Sequence, residues 1–251
     1  MAYSAPRAQN LFNPSAKTPF KLSRSKIENF IRCPRCFYLD RRLGIDKPPT
    51  PSFTLNNAVD ALLKKEFDTH RVAHTAHPIM EAYGVDAVPF EHEKMEEWRD
   101  ALRRGIRYLY EPENLLITGG IDDVWVNKKG ELIIVDYKAT SKAGEVVLEG
   151  SGWEMSYKRQ MEIYQWLFRM NGFSVSDTGY FVYCNGCADK KAFDKQLEFK
   201  VTLLHHKGSD AWIPHTLSKI KACLKATKIP AADPSCEYCM YRKASANVEA
   251  K

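Results

Sequence analysis

The chain has 251 residues, 44% of them hydrophobic, and a formal net charge of +6. That length buries one substantial core with appendages, and the charge favours an anionic partner such as nucleic acid. No apolar run approaches the roughly 20 residues that cross a bilayer, and the N-terminus lacks the apolar stretch of a secretory signal, so a cytoplasmic protein without membrane contact is expected.

Residues 1–20 hold Pro6, Pro14 and Pro19 among Ser, Ala and Asn without periodicity, which predicts a flexible N-terminal arm. Ser25-Lys26-Ile27-Glu28 has the form of a capping box opening a helix. That helix leads into Cys33-Pro34-Arg35-Cys36, and Arg32, Arg35, Arg41 and Arg42 cluster there, either as a solvated face or as a surface that tracks phosphates. After the proline-containing connector from Asp46 to Pro51, Leu55, Val59, Leu62, Leu63 and Phe67 recur at helical spacing over Thr54–Arg71. On spacing alone Asp60 faces solvent. His70, His74 and His77 stand about one turn apart, but Pro78 breaks the run and predicts a loop with exposed histidines. Pro89–Tyr110 reads as a charged helix whose buried stripe is Met95, Trp98, Leu102, Ile106 and Leu109.

The stretch Thr118–Thr140 reads as a hairpin, with β-branched and aromatic residues on either side of the turn Asn127-Lys128-Lys129-Gly130. A strand has a period of two, so Asp136 and Lys138 share a face about 7 Å apart while Tyr137 points away. Asp122 arrives from the partner strand near the same level, and a slip of one residue would offer Asp123 instead. An acid-x-Lys tripeptide arises about once by chance in a chain of this length, and Asp189-Lys190-Lys191 and Glu198-Phe199-Lys200 have the same form. Neither decoy follows an acid-bearing strand like Gly119-Gly120-Ile121-Asp122.

Beyond the hairpin, Met155–Met170 reads as a helix that packs Ile163, Leu167 and Met170 on the sheet and places Gln160 and Tyr164 on one face. Strands over Gly179–Cys184 and Gln196–Leu204 extend the sheet, and Trp212–Leu224 is a last amphipathic helix. Six of the seven cysteines fall in C-x-x-C pairs, Cys33/Cys36, Cys184/Cys187 and Cys236/Cys239. In a cytosolic chain that pattern predicts at least one metal or cluster site.

Taken in order, Ser-x-Ser-Lys-Ile, Cys33-Pro34-Arg35 with Phe37-Tyr38-Leu39, Gly-Gly-Ile-Asp122, Asp136-Tyr137-Lys138, Gln160-x-x-x-Tyr164 and a cysteine pair near the C-terminus resemble the PD-(D/E)XK nuclease superfamily. The resemblance is to its RecB-like branch, which includes CRISPR-associated iron–sulfur exonucleases, and it covers nearly the whole chain from about residue 20. It implies an α/β restriction-endonuclease-like core, a mixed central sheet flanked by helices, over residues 21–240, with a flexible tail over 241–251. It also implies hydrolysis of DNA phosphodiester bonds, from or near single-stranded ends, in repair, recombination or defence, with any helicase supplied by a partner complex. Asp122, Asp136 and the Tyr137 carbonyl would hold Mg²⁺ or Mn²⁺. Lys138 would position the attacking water, and Gln160 and Tyr164 would contact the nucleic-acid backbone or brace the site.

The chain departs from that branch in two places. Asn56 and Asp60 stand where glycine and a metal-binding histidine are usual, so Asp60 becomes a candidate fourth ligand. A third C-terminal cysteine is missing, with Ser245 near its place, and Cys36 would complete a Cys₄ set with Cys33, Cys236 and Cys239 that clips the chain ends together. A [4Fe–4S] cluster, favoured by the resemblance, and a structural Zn²⁺ both suit such a set, and Cys184/Cys187 are a rival pair of ligands. The altered Asn56/Asp60 position leaves a second reading, a nuclease fold kept as a weak or inactive DNA-binding and assembly module.

Overall fold

The computed structural model describes residues 10–48, 54–148 and 152–250. In chain order these form β1 (Phe20–Ser23), α1 (Arg24–Arg32), α2 (Pro34–Leu43), α3 (Thr54–Ala73), α4 (Pro78–Ala82), β2 (Ala87–Pro89), α5 (Met95–Arg99), β3 (Ile106–Tyr110), β4 (Leu115–Gly119), β5 (Asp123–Asn127), β6 (Leu132–Thr140), α6 (Trp153–Met170), β7 (Thr178–Gly186), β8 (Phe199–Lys207), α7 (Trp212–Lys225) and α8 (Glu237–Glu249). Among these, no helix is long and apolar enough to cross a membrane. The fold is α/β, with mixed sheets flanked by helices, as the sequence predicts. Where one domain over 21–240 is expected, the chain divides into two compact units, one of residues 1–51, 109–118 and 211–251 and one of residues 52–108 and 119–210.

In the first unit β1 runs parallel to β4, pairing Phe20 with Leu115 through Ser23 with Thr118. Helices α1, α2 and α7 pack together, burying Ile27, Phe37, Leu217 and Ile220. Residues 1–9 of the expected arm lie outside the described residues, as do residues 49–51 of the connector. The packed chain starts before residue 20: Phe12 is buried edge-on against Phe20, and its amide donates to the Arg41 carbonyl. At the other end, the residues expected as a tail continue α8 to Glu249. Helix α1 begins at Arg24, ahead of the expected capping box, and its N-cap Ser23 makes no side-chain capping bond.

The second unit is built on a five-stranded sheet in the order β2-β5-β6-β7-β8. Only β6 and β7 run parallel; β2–β5, β5–β6 and β7–β8 are antiparallel. Strand β6 is thus central, and Leu132–Val135 are buried, as an apolar run on both faces requires. The β5–β6 turn closes as its sequence predicts: Gly130 is left-handed at φ 76°, and Asn127 Oδ1 accepts from the amides of Lys129 and Glu131. Helix α3 lays Leu63 and Phe67 on Trp125, Val135 and Tyr137, and α6 packs on β6. Ile163 and Leu167 are buried on α6, but Met170 is half-exposed at its end.

The helix expected over Pro89–Tyr110 is broken. Only α5 is helical, Leu102 is 93% exposed, and Gly105, left-handed at φ 72°, leads into β3, where Ile106–Tyr110 alternate as a strand. His77 also departs from expectation. It is buried, caps α4, stacks on Phe67 at 4.3 Å and meets Glu66 at 2.8 Å.

Asp123, at the start of β5, has 0% exposure and four donors around it. Its Oδ1 pairs with Arg71 and, at 3.3 Å, with Arg99, and takes the Val124 amide at 2.8 Å; its Oδ2 takes the Tyr137 hydroxyl at 2.8 Å. Removing one partner from a buried charge cluster strands the rest, so Asp123→Ala is expected to cost about 3–5 kcal/mol in urea unfolding. A loss below about 1 kcal/mol would show that Arg71 and Arg99 do not depend on it.

Candidate active site

Because Asp123 pairs with Val135 across the hairpin, the preceding residue, Asp122, lies level with Asp136. The strand period turns the Tyr137 ring toward Asp123 and Phe67 and puts Asp136 and Lys138 together on the other face. Asp122 Oδ2 accepts the Tyr137 amide at 2.8 Å, which fixes its carboxylate against β6. Asp136 is buried: Oδ1 accepts from Gln160 Nε2 at 2.8 Å, and Oδ2 lies against the Lys138 ammonium as an ion pair without a hydrogen bond of ordinary geometry. Gln160 is backed by the Tyr164 hydroxyl at 3.2 Å.

These residues meet at a hollow of about 310 Å³ lined by Asn56, Asp60, Asp122, Tyr137, Lys138 and Tyr157, among others. Asp60 reaches this hollow, contrary to its spacing on α3, but its Oδ2 is held by Lys64 at 2.8 Å. Lys64 also stands 3.7 Å from Asp122. Asn56 Nδ2 donates to the Ala139 carbonyl at 2.8 Å and so ties α3 to the end of β6. Lys64 and Tyr157 escape a reading by motif. The first is signalled only by its i,i+4 spacing from Asp60, and the second, whose ring centroid lies 4.5 Å from Lys138 Nζ, stands one turn before Gln160.

The electrostatics follow from crowding. Burial and the neighbouring Asp136 charge push the Asp122 carboxyl up to about 7, against the pull of Lys138 and Lys64. Burial disfavours the Lys138 ammonium, but Asp136 and Asp122 outweigh it and raise its pKa. Two carboxylates that repel each other, one of them buried, fit a hard divalent cation bound by oxygen. Neither decoy tripeptide builds such a place. Glu198 is exposed and pairs with Lys190 at 2.6 Å.

The cysteines sort in the same way. Cys33 and Cys236 are the N-caps of α2 and α8, and Cys36 and Cys239 lie in the first turns of those helices. Their sulfurs all lie within 4.8 Å of one another, with Cys33–Cys239 at 3.9 Å and Cys36–Cys236 and Cys36–Cys239 at 3.6 Å. All four are free thiols. Burial pushes Cys33 up, but bonds to the backbone of Asp233 and Cys36 and to neighbouring thiols bring it down to about 7. Burial and the surrounding thiols raise Cys36. Two helix N-termini and four sulfurs at this spacing can hold a metal ion. Cys184 lies in the apolar core beneath α3, and the Cys187 thiol faces the Asn185 carbonyl at 4.0 Å, so that pair does not join the four.

Of the four arginines, Arg41 is bound to the buried Asp40 and Arg42 reaches the Phe12 carbonyl. Arg32 is exposed, and Arg35 lines a hollow of about 300 Å³ with Arg242 and Lys243.

A paired Asp and Lys at the end of a central strand, faced by a second Asp, make an acid–lysine arrangement with oxygen ligands suited to a divalent cation. A family model of the PD-(D/E)XK nuclease superfamily matches residues 21–244, and the chain belongs to that superfamily. Its members are generally nucleases that use divalent metals. Among solved structures the chain is similar to SSO0001, at 16% identity and a TM-score of 0.48, over 91% of this chain and 86% of that one. No curated protein matches.

Gly119 packs directly against the Gln160-x-x-x-Tyr164 face of α6. A Cβ there would stand 2.6 Å from the Tyr164 ring and 3.1 Å from Leu167. Gly119→Ala is therefore expected to destabilise the protein by about 1–3 kcal/mol, measured by urea unfolding, because a buried ring cannot yield cheaply. An unchanged midpoint would mean that Tyr164 is free to move.

Proposed function

We propose that this protein is a Mg²⁺- or Mn²⁺-dependent nuclease that hydrolyses DNA phosphodiester bonds. The observation that carries the reading is that Asp122 and Lys138 line one hollow while Asp136, buried beside it, holds Lys138 and is braced by Gln160. Asp122, Asp136 and the Tyr137 carbonyl would hold the metal, with Asp60 beside them. When bound, the ion lowers the pKa of water and neutralises charge on the scissile phosphate. Lys138, held by Asp136 and covered by the Tyr157 ring, is placed to orient the attacking water. Gln160 and Tyr164 are buried, which supports bracing of Asp136 over contact with the substrate backbone. The basic balance of the chain fits a nucleic-acid substrate, and the resemblance of its motifs to the RecB-like branch is what supports action near strand ends in repair or defence.

One observation favours the rival module reading. The Asp60–Lys64 pair presents an ammonium, in place of a free ligand, to the metal side of Asp122. Incubation with single- and double-stranded DNA and RNA plus Mg²⁺ or Mn²⁺ separates the two. Cleavage by the wild type, abolished in Asp136→Ala and retained near the wild-type rate in Glu198→Ala, is the expected result. Binding without cleavage under every metal tried would favour the module, and loss of activity in Glu198→Ala alone would overturn the choice of strand.

For the cysteine site, sulfur spacing favours one tetrahedral ion. Four thiolates about 2.3 Å from a central Zn²⁺ lie about 3.8 Å apart, close to the 3.6 to 3.9 Å found here. A four-iron cube interposes its own atoms and spreads its thiolates further. The purified protein is expected to be colourless with stoichiometric zinc, and Cys36→Ser to lose the metal and melt at lower temperature. Iron with a visible band that bleaches on reduction would establish the cluster instead.

A further inference from the structure

At the start of α6, beside the hollow, Tyr157 packs on the buried Phe181 with ring centroids 6.4 Å apart, whereas Trp153, one turn before it, has no such ring partner in the core among the described residues and stands exposed. Trp153 and Tyr157 stand at i and i+4 on one helical face, with ring centroids 5.0 Å apart at 66°. Tyr157 lines the hollow and lies over Lys138 Nζ. Trp153 extends the series outward and is 47% exposed. A single exposed tryptophan is unremarkable. This one touches a ring that touches the lysine proposed to orient the attacking water, so anything bound on it is held next to the reacting phosphate.

The chemistry that suits two rings beside a phosphate-cleaving centre is a nucleobase. Every base has a π-face, and stacking on aromatic side chains holds it without reading its sequence. In a duplex that face is already covered by the neighbouring pairs, so the rings select a base that is unpaired. We propose that Trp153, set edge-on against Tyr157 at the rim of the hollow, is a stacking subsite for an unpaired base next to the scissile phosphate. The inference rests on the reading of the hollow as a nuclease centre and goes beyond it in naming the side chain that holds a base beside the reacting phosphate.

The test is an abasic walk. Single-stranded oligonucleotides, intact or with one abasic residue at successive positions, are offered with Mn²⁺ to the wild type, Trp153→Ala and Trp153→Phe. Binding is followed by anisotropy and cleavage by KM and kcat. Trp153→Ala is expected to weaken binding and raise KM about tenfold, within the range of one lost stack, with Trp153→Phe recovering most of it. In the wild type, one abasic position is expected to reproduce that loss, and Trp153→Ala to be indifferent to the same position. Thermal melts matched to the wild type show that the variants fold.

A wild-type walk with no sensitive position, or a Trp153→Ala walk as sensitive as the wild type, overturns the subsite while leaving the nuclease reading intact. Tight binding of single strands without cleavage overturns the nuclease reading, and the walk is then scored on binding. A wild type that binds no single strand overturns the subsite and points to a protein partner for Trp153.

Discussion

The geometry of the site depends on one buried carboxylate that takes no part in it. Asp123 has 0% exposure and holds Arg71 from α3, Arg99 from α5 and the Tyr137 hydroxyl from β6. A carboxylate cannot be left alone at such a depth, nor can two guanidiniums, so the three elements are fixed relative to one another by mutual need. Asp68, from the same face of α3 as Arg71, joins the cluster and with Asp123 holds Arg99 well above an ordinary arginine pKa. The consequence falls on the neighbouring residue. With Asp123 turned inward, Asp122 must present its carboxylate to the end of β6, where the Tyr137 amide receives it. A register slip of one residue would bury Asp122 beside the arginines and turn Asp123 toward the hollow, so the ion cluster and the site select the same register.

Much of this half of the molecule is legible in the sequence, because a strand's period is two and a hairpin's turn residues are few. Leu132–Val135, the Asn127–Gly130 turn and the shared face of Asp136 and Lys138 follow from those rules alone. The role of Asp123 does not follow, because its arginine partners come from 52 and 24 residues away and look like ordinary surface charges in the sequence. The same blindness hides the buried His77, whose partners are Glu66 and Phe67 on another helix. It also hides Arg41, which Asp40 holds against its own helix. The false helix over Pro89–Tyr110 has a different cause. Ile106, Leu109 and the aromatics beside them satisfy a helical and a strand pattern alike, and the left-handed Gly105 decides between them.

The cysteines show a clear motif and an ambiguous pairing. Three C-x-x-C pairs announce a metal site, but the sequence alone does not choose between them. The fold chooses by placing Cys184 on the inward face of β7, in the apolar core, while Cys33/Cys36 and Cys236/Cys239 sit at the N-termini of two helices. Helix α8 buries none of its residues, so among the described residues it has little apolar packing to hold it to its unit. Its attachment falls to the sulfur site, which joins segments 200 and more residues apart. A metal bound by the four sulfurs would do for this unit what a larger core does elsewhere, by closing a long loop whose entropy the chain alone recovers poorly.

The charge of the hollow ties metal and substrate together. Three carboxylates, Asp60, Asp122 and Asp136, face two ammoniums, Lys64 and Lys138, which leaves one negative charge when all are ionised. Burial first and the Asp136 charge second raise the Asp122 carboxyl to about 7, so a proton there can offset this excess near neutral pH. A divalent cation in place of that proton would leave the hollow with one positive charge. A phosphodiester carries one negative charge and would bring that total to zero. On this count a metal alone would leave the hollow charged, and a metal with a phosphodiester would leave it neutral, as a proton does. Asp60 with its own lysine adds nothing to the sum, which is how an aspartate can stand at that position without changing the balance.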